Sequence, residues 1–447
     1  MKHSLLVKLG AALLLIWSGC ALLAYQPQSN GSGAFATGHY RNLFVEAGHS
    51  QVEVTEKINA AYQQLFHGDA VTQALYYPAG ANTNGALAYI YDTGYKDVRS
   101  EGMSYGMMIT VQLNKKAEFD AIWNWARTYM YHNSTNQPSY GFFSWSMKTN
   151  GTPNDEISAP DGEEYFATAL YFAAGRWGNG PGIYNYRAEA DRLLTNMLHR
   201  EWITGRTRTG SKTVGALFDA ERHMVRLTPD KKNCEHTDPS YHLPAFYELW
   251  AKWGPEADRT FWEQAATASR DFFQHAANPH TGLTPDYANF DGSPWTSLWN
   301  QHSAEFQFDA WRTAMNWSVD WDWWARDNRE EQLSDRLQAF FTSQGMTTYA
   351  NQFTLEGSPL STDHSPGLVT INAVASLAAT QPRAQNFVEE LWNAPVPTGQ
   401  WRYYDGLLYF LGLLHCSGEF RIWPPQTNTP SPLPLGCVHL TSWVEDL

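Results

Sequence analysis

The chain has 447 residues, of which 43% are hydrophobic, 15% aromatic and 17% charged, with 31 Lys and Arg against 45 Asp and Glu for a formal net charge of −14. An aromatic content that includes 20 Trp excludes a disordered chain, and an acidic balance with no basic run excludes nucleic-acid binding driven by phosphate neutralisation. The length suits one large domain or up to about three average ones.

The first 20 residues read as a processing segment: Lys2, His3 and Lys8 give a basic start, and the apolar stretch from Leu9 to Trp17 is shorter than the about 20 residues a membrane span needs. Trp17-Ser18-Gly19-Cys20 resembles the bacterial lipoprotein signal, in which a small pair precedes a lipid-modified cysteine, although Trp17 stands where an aliphatic residue is usual. The expectation is export with Cys20 lipidated and the protein facing the periplasm or cell surface. The alternative is an ordinary secretory signal and a periplasmic or secreted protein; incorporation of a labelled fatty acid at Cys20 separates the two. Residues 21–35 read as a flexible tether, polar from Gln26 to Gly33. Of the other cysteines, Cys234, Cys416 and Cys437 cannot all pair, so no disulfide framework organises the fold; a Cys416–Cys437 bridge across a Pro-rich stretch stays open.

From residue 36 the pattern is helical nearly throughout. Ile58, Ala61, Tyr62 and Leu65 share one face of an amphipathic helix, and Phe119, Ile122, Trp123 and Ala126 repeat that spacing. Gly102–Leu113 and Tyr165–Ala174 are apolar on almost every side, which implies burial all round. Further helices are expected near 185–199, 240–253, 258–276, 304–325, 329–344, 367–380, 384–393 and 403–415, about twelve in all, with few period-2 strand runs. Half-wet helices alternating with fully buried ones point to an all-α domain of two concentric layers over 36–417. A Pro-rich, non-helical tail is expected over 418–447.

Three carboxylates stand out by their surroundings. Glu101 opens a helix that is apolar on every side, where partial desolvation would keep a carboxyl protonated near neutrality. Asp161 opens the second buried helix, a position that also suits a helix cap. Asp309 lies in an aromatic helix three residues before Arg312, so an ion pair and a chemical role are both open. Trp145, Trp295, Trp299, Trp317, Trp321, Trp323 and Trp324 cluster near these segments, and aromatic faces beside acids suit sugar rings. Gly102-Met103-Ser104-Tyr105-Gly106 matches the G-x-S-x-G elbow of serine hydrolases but lacks the preceding buried strand, so Ser104 reads as packing. Gly178–Gly182 reads as a turn, since it lacks the Lys-Ser/Thr of a phosphate loop. Cys234, His236 and His242 lack a metal-binding spacing, and neither metal nor cofactor is expected.

The segments RSEGMSYGMM (Arg99–Met108), APDGEEYFATAL (Ala159–Leu170) and FDAWRTAMNWSVDW (Phe308–Trp321) resemble glycoside hydrolase family 8, and DPSYHLPAFYELWA (Asp238–Ala251) and WRYYDGLLYF (Trp401–Phe410) extend the likeness. The resemblance implies an (α/α)6 barrel that hydrolyses β-1,4-linked glucan, chitosan or xylan with inversion. It implies Glu101 as general acid, Asp309 as general base and Asp161 as the carboxylate that positions and distorts the sugar. Trp145, Tyr241, Arg312, His364 and Tyr403 are the implied substrate-binding or supporting residues. PDGEEYFA and YHLPAFYELW resemble the xylan-acting branch, and Asp363–Leu368 resembles the loop by which reducing-end xylose-releasing exo-oligoxylanases close one side of the cleft. Here Ser365 separates His364 from Pro366, where those enzymes have a His-Pro pair, so endo action is the alternative. A non-catalytic sugar-binding lipoprotein and a serine esterase acting through Ser104 are more remote readings; the oligomeric state is open.

Overall fold

The computed structural model describes residues 33–425, and twelve α-helices of nine residues or more dominate it. We number them α1 (Gln51–His67), α2 (Ser100–Gln112), α3 (Lys116–Trp125), α4 (Pro160–Trp177), α5 (Tyr186–His199) and α6 (Pro244–Trp253). Then come α7 (Arg259–Ala276), α8 (Phe308–Trp324), α9 (Arg329–Gln344), α10 (Pro366–Val374), α11 (Ala384–Asn393) and α12 (Arg402–Cys416). Start signals are visible in the sequence: a Ser50–Glu53 capping box opens α1, and α4, α6 and α10 each begin on a proline, whose missing N–H has no helical partner to lose there.

Odd-numbered helices bury one stripe. In α1 it is Val54, Ile58, Ala61, Tyr62, Leu65 and Phe66, one face of a 3.6-residue repeat. Even-numbered helices are buried around their whole circumference, as over Pro160–Ala174 of α4 and Ala310–Trp324 of α8. A helix apolar on every side needs a neighbour on every side, so the even helices form an inner ring and the odd ones surround it. In that ring α2 packs on α4, α6 on α8, α8 on α10, α10 on α12, and α12 returns to α2. Side chains join α4 to α6: Tyr247 Oη donates to Glu164 Oε1 at 2.5 Å and Trp250 Nε1 to Thr168 Oγ1 at 3.1 Å. Outside it, α3 lies on α2, α5 on α4, α7 on α6, α9 on α8, α11 on α10 and α1 on α12. This is the expected (α/α)6 barrel.

Short antiparallel sheets fill the loops. One joins Val98–Arg99, Ser146–Met147 and Pro153–Asp155, and so brings Trp145 beside the start of α2, where Ser100 N donates to Trp145 O at 3.0 Å.

The domain is longer at both ends than the sequence suggests. Ala34 is buried and Phe35 stacks on Trp324, so the expected tether is packed from Gly33 onward. Past Ser417, Phe420 and Ile422 are buried, and Trp423 Nε1 donates to Gln112 Oε1 at 2.8 Å. Those aromatic and aliphatic side chains cover the ends of α2 and α8, which would otherwise leave apolar surface in water. The expected signal segment, Cys20, most of the expected tether and residues 426–447 with Cys437 lie outside the described residues. Cys416 is buried in α12. Among the described residues no helix is long and apolar enough to cross a membrane.

Candidate active site

Two cavities, of about 540 and 750 Å³, meet at one end of the barrel and share Arg99, Glu101, Tyr287 and Asp309. Their walls come from the first turns of α2, α4, α8, α10 and α12 and from the segment leading into α6. Inner-helix N-termini therefore gather around the cleft, and their partial positive charge favours the carboxylates placed there.

Glu101, Asp161 and Asp309 converge on one guanidinium. Arg312, 1% exposed, donates from Nη1 to Glu101 Oε2 at 3.0 Å, Asp161 Oδ2 at 2.9 Å and Tyr105 Oη at 2.8 Å, and from Nη2 to Asp309 Oδ1 at 2.9 Å. Arg312 cannot balance three carboxylates, and the nearby Arg99 is already paired with Asp92 and Asp97, so one of the three holds a proton most readily. Burial pushes the Glu101 carboxyl up to about 7; Arg312 opposes the rise, and Asp161 and Asp309 add to it. Burial raises Asp161 as well. The side chain of Asp309 is 29% exposed, against 14% for Glu101 and 6% for Asp161, so Asp309 has the best access to water. Because both bind the same planar guanidinium, the nearest oxygens of Glu101 and Asp309 lie within about 8 Å, a bound that admits the about 6.5–9.5 Å of an inverting carboxyl pair.

Two glycines make this convergence possible. A Cβ on Gly162 would meet Ser100 Cβ at 2.6 Å, so the glycine lets the starts of α4 and α2, with Asp161 and Glu101, touch. A Cβ on Gly102 would meet Tyr403 Oη at 2.5 Å, the hydroxyl that donates to Glu101 Oε1 at 3.0 Å. Tyr403 is thus foremost a partner of Glu101, although it also lines the larger cavity. Asp161 is not the cap of α4; Ala159 holds that position, and the carboxylate turns to Gly162 N and Arg312.

The other predicted residues fall on the two walls. Trp145 and Tyr241 line the smaller cavity, with the Arg99 guanidinium 5.6 Å from the Trp145 ring and that of Arg312 5.8 Å from the Tyr241 ring. His364 lines the larger one. Its Nδ1 lies 2.8 Å from Tyr349 O, which can only accept, so Nδ1 carries the hydrogen and Nε2 is the ring nitrogen left for another partner. Ser365 is built in: its Oγ accepts from Asn351 Nδ2 at 2.7 Å, and Gly367 N donates to Asp405 Oδ1 at 2.9 Å.

The tryptophans divide. Trp145 and Trp299 line the smaller cavity, and Trp295 backs it, stacked on His236 at 3.6 Å. Trp317, Trp321, Trp323 and Trp324 are core instead, because α8 is surrounded on every side. Ser104 is fully buried and donates to Glu101 O at 2.9 Å, which leaves no exposed nucleophile. Among the described residues no cluster of His, Cys, Asp or Glu could hold a metal ion.

Several site residues escaped the sequence reading. Phe308, Trp311, Trp401 and Tyr404 line the larger cavity. Asp238 and Asp286 are buried carboxyls beside Asp309, and burial with the charge of Asp309 raises both. The DPSY segment carried a signal for Asp238; Asp286 sits in a Pro-Asp-Tyr stretch that reads as a turn.

The model of the family described as "Glycosyl hydrolases family 8" matches residues 82–418. The chain is 43% identical over 396 residues to a reducing-end xylose-releasing exo-oligoxylanase of Paenibacillus barcinonensis, covering 88% of this chain and 99% of that protein. To the reducing-end xylose-releasing exo-oligoxylanase of Halalkalibacterium halodurans it is 41% identical, covering 88% and 97%. A catalytic mutant of a family 8 xylanase from Teredinibacter turnerae, solved with xylohexaose, superposes with a TM-score of 0.87 at 56% identity, covering 88% of this chain and all of the other.

Proposed function

The chain belongs to glycosyl hydrolase family 8, and on that premise we propose that it hydrolyses β-1,4-xylosidic bonds with inversion, releasing xylose from the reducing end of xylo-oligosaccharides. One observation carries the chemistry: a carboxyl held near neutrality, Glu101, and a water-accessible one, Asp309, sit on a single guanidinium where two cavities meet. With the sugar chain threaded through the junction, Asp309 takes a proton from a water molecule as its oxygen attacks the anomeric carbon. The glycosidic C–O bond breaks, and the departing oxygen takes the proton of Glu101. Asp161, fixed by Arg312, faces the sugar at the cleavage point and favours its distortion toward the transition state. Hydrolysis by this route needs no metal or cofactor.

The two exo-oligoxylanase relatives support release of a single xylose, with the His364 loop at the reducing-end side and His364 Nε2 accepting from a sugar hydroxyl. Endo cleavage is the second reading. The cavity beyond the carboxylates measures about 750 Å³, room for more than one sugar, and the similar Teredinibacter protein is described as a xylanase. Product sizing separates the two. Incubation with xylotriose, xylohexaose and polymeric xylan is expected to give xylose plus the oligomer one unit shorter, with the polymer's viscosity unchanged. A rapid fall in viscosity, with mixed products from xylohexaose, would replace exo release by endo cleavage.

A further inference from the structure

Asp286 lies in the segment between α7 and α8 and is 2% exposed. Both of its oxygens are fully used. Oδ1 accepts from Asp309 N at 2.9 Å and Ala310 N at 3.2 Å, while Oδ2 accepts from Gln307 Nε2 at 2.8 Å and Asn300 Nδ2 at 3.1 Å. Helix α8 has no side-chain cap of its own, because Gln307 at its N-cap makes none. The first backbone N–H groups of a helix have no internal partner, and an uncapped first turn frays. Here a carboxylate from outside the helix takes the N–H of Asp309 itself and that of the next residue.

The base needs such a tie, because it stands at the open start of its helix. Asp309 is flanked by Phe308, 45% exposed, and only from Ala310 onward is α8 enclosed. Among the described residues its side chain bonds to Arg312 and its backbone N–H to Asp286. The same carboxylate also reaches, through Asn300, the loop whose neighbouring Trp299 lines the smaller cavity.

We propose that Asp286 is a positioning residue for the hydrolytic reaction, one that clamps the first turn of α8 and fixes the height and rotation of Asp309 toward the attacking water. The proposal rests on the reading of Asp309 as the base. It is distinct from simple helix stabilisation, since the bonds fall on the backbone of the reacting residue. A displacement of about 1 Å in such a group costs roughly a hundredfold in rate. Asp309 faces Arg312 on its own helix, Asp286 and Tyr287 from the preceding segment, and Asp238 and Tyr241 ahead of α6. Tyr404 of α12, Glu101 of α2 and Asp161 of α4 complete the surroundings.

The test compares Asp286→Asn and Asp286→Ala with the unaltered protein on xylo-oligosaccharides, and runs Asp309→Ala alongside. In Asp286→Asn the side-chain oxygen still accepts both backbone N–H groups. Its Nδ2 faces the donors of Gln307 and Asn300, and expected are a kcat lower by about tenfold and a KM changed by less than about twofold. In Asp286→Ala the clamp is gone, and kcat should fall about a hundredfold in the folded protein. Wild-type kcat in both folded variants, with only the melting temperature lowered, would overturn the proposal while an inactive Asp309→Ala left the base assignment standing. Turnover retained in Asp309→Ala would remove the base assignment, and the proposal with it.

Discussion

Glu101→Gln is expected to lower kcat on xylo-oligosaccharides by about a thousandfold, with the melting temperature nearly unchanged. Glutamine keeps the shape of the side chain, with its oxygen accepting from Arg312 and its Nε2 donating to the Tyr403 oxygen, but it has no acidic proton to give to the departing oxygen. The pH dependence carries the sign. Burial holds the Glu101 carboxyl up near 7, and only the protonated form can act as acid, so kcat/KM should fall as pH rises through about 7. Glu101→Gln should lose that basic limb. An aryl β-xyloside with an acidic phenol as leaving group needs little protonation, so the variant should recover most of its turnover on it. Kinetics with both substrates from pH 5 to 9 check the assignment. Near-normal turnover of the oligosaccharide, or an unchanged basic limb, would remove Glu101 from this role.

Asp309→Ala should be as inactive on oligosaccharides, but with the opposite pattern of rescue. A good leaving group does nothing for a reaction that lacks an activated nucleophile, so the aryl substrate should stay slow. Azide, which attacks the anomeric carbon without a base, should restore part of the turnover and form the glycosyl azide of inverted configuration. Identification of that product by NMR, absent with Glu101→Ala, is the measurement. Rescue by the leaving group and not by azide would exchange the two roles. Arg312 binds both carboxylates at about 3 Å, so a change at either end alters the other, and both variants need the same control for folding.

Much of the barrel is legible from the sequence because its two layers carry different patterns. The outer helices show one apolar stripe, and the expectations over 329–344 and 384–393 coincide with α9 and α11. Inner helices show no stripe but long apolar runs, and their starts are less clear. Helix α8 begins at Phe308, not near 304, since Phe306 pairs with Phe353 in an extended bridge and the first turn takes its cap from Asp286. Both partners are distant in sequence, and nothing local announces them.

The site divides in the same way. Glu101, Asp161 and Asp309 are visible because a charge inside an apolar run demands a reason, and the resemblance supplies roles for them. Tyr403 is identified as a site residue, but its bond to Glu101 depends on how α12 meets α2 across Gly102. Asp286 and Asp238 look like turn residues until the fold buries them. The tryptophans of α8 mislead for a related reason: composition places them near the acids, and only the inner ring shows that they face core.

The stereochemistry of the bond that forms tests the central claim most directly. In a proton NMR time course of xylotriose hydrolysis, the xylobiose produced carries the newly made hemiacetal. A single displacement by water between Glu101 and Asp309 predicts that its α-anomer signal rises first, and the β-anomer follows only as mutarotation proceeds. A β-anomer that appears first would mean retention, and with it a covalent intermediate that contradicts the roles given to both carboxylates.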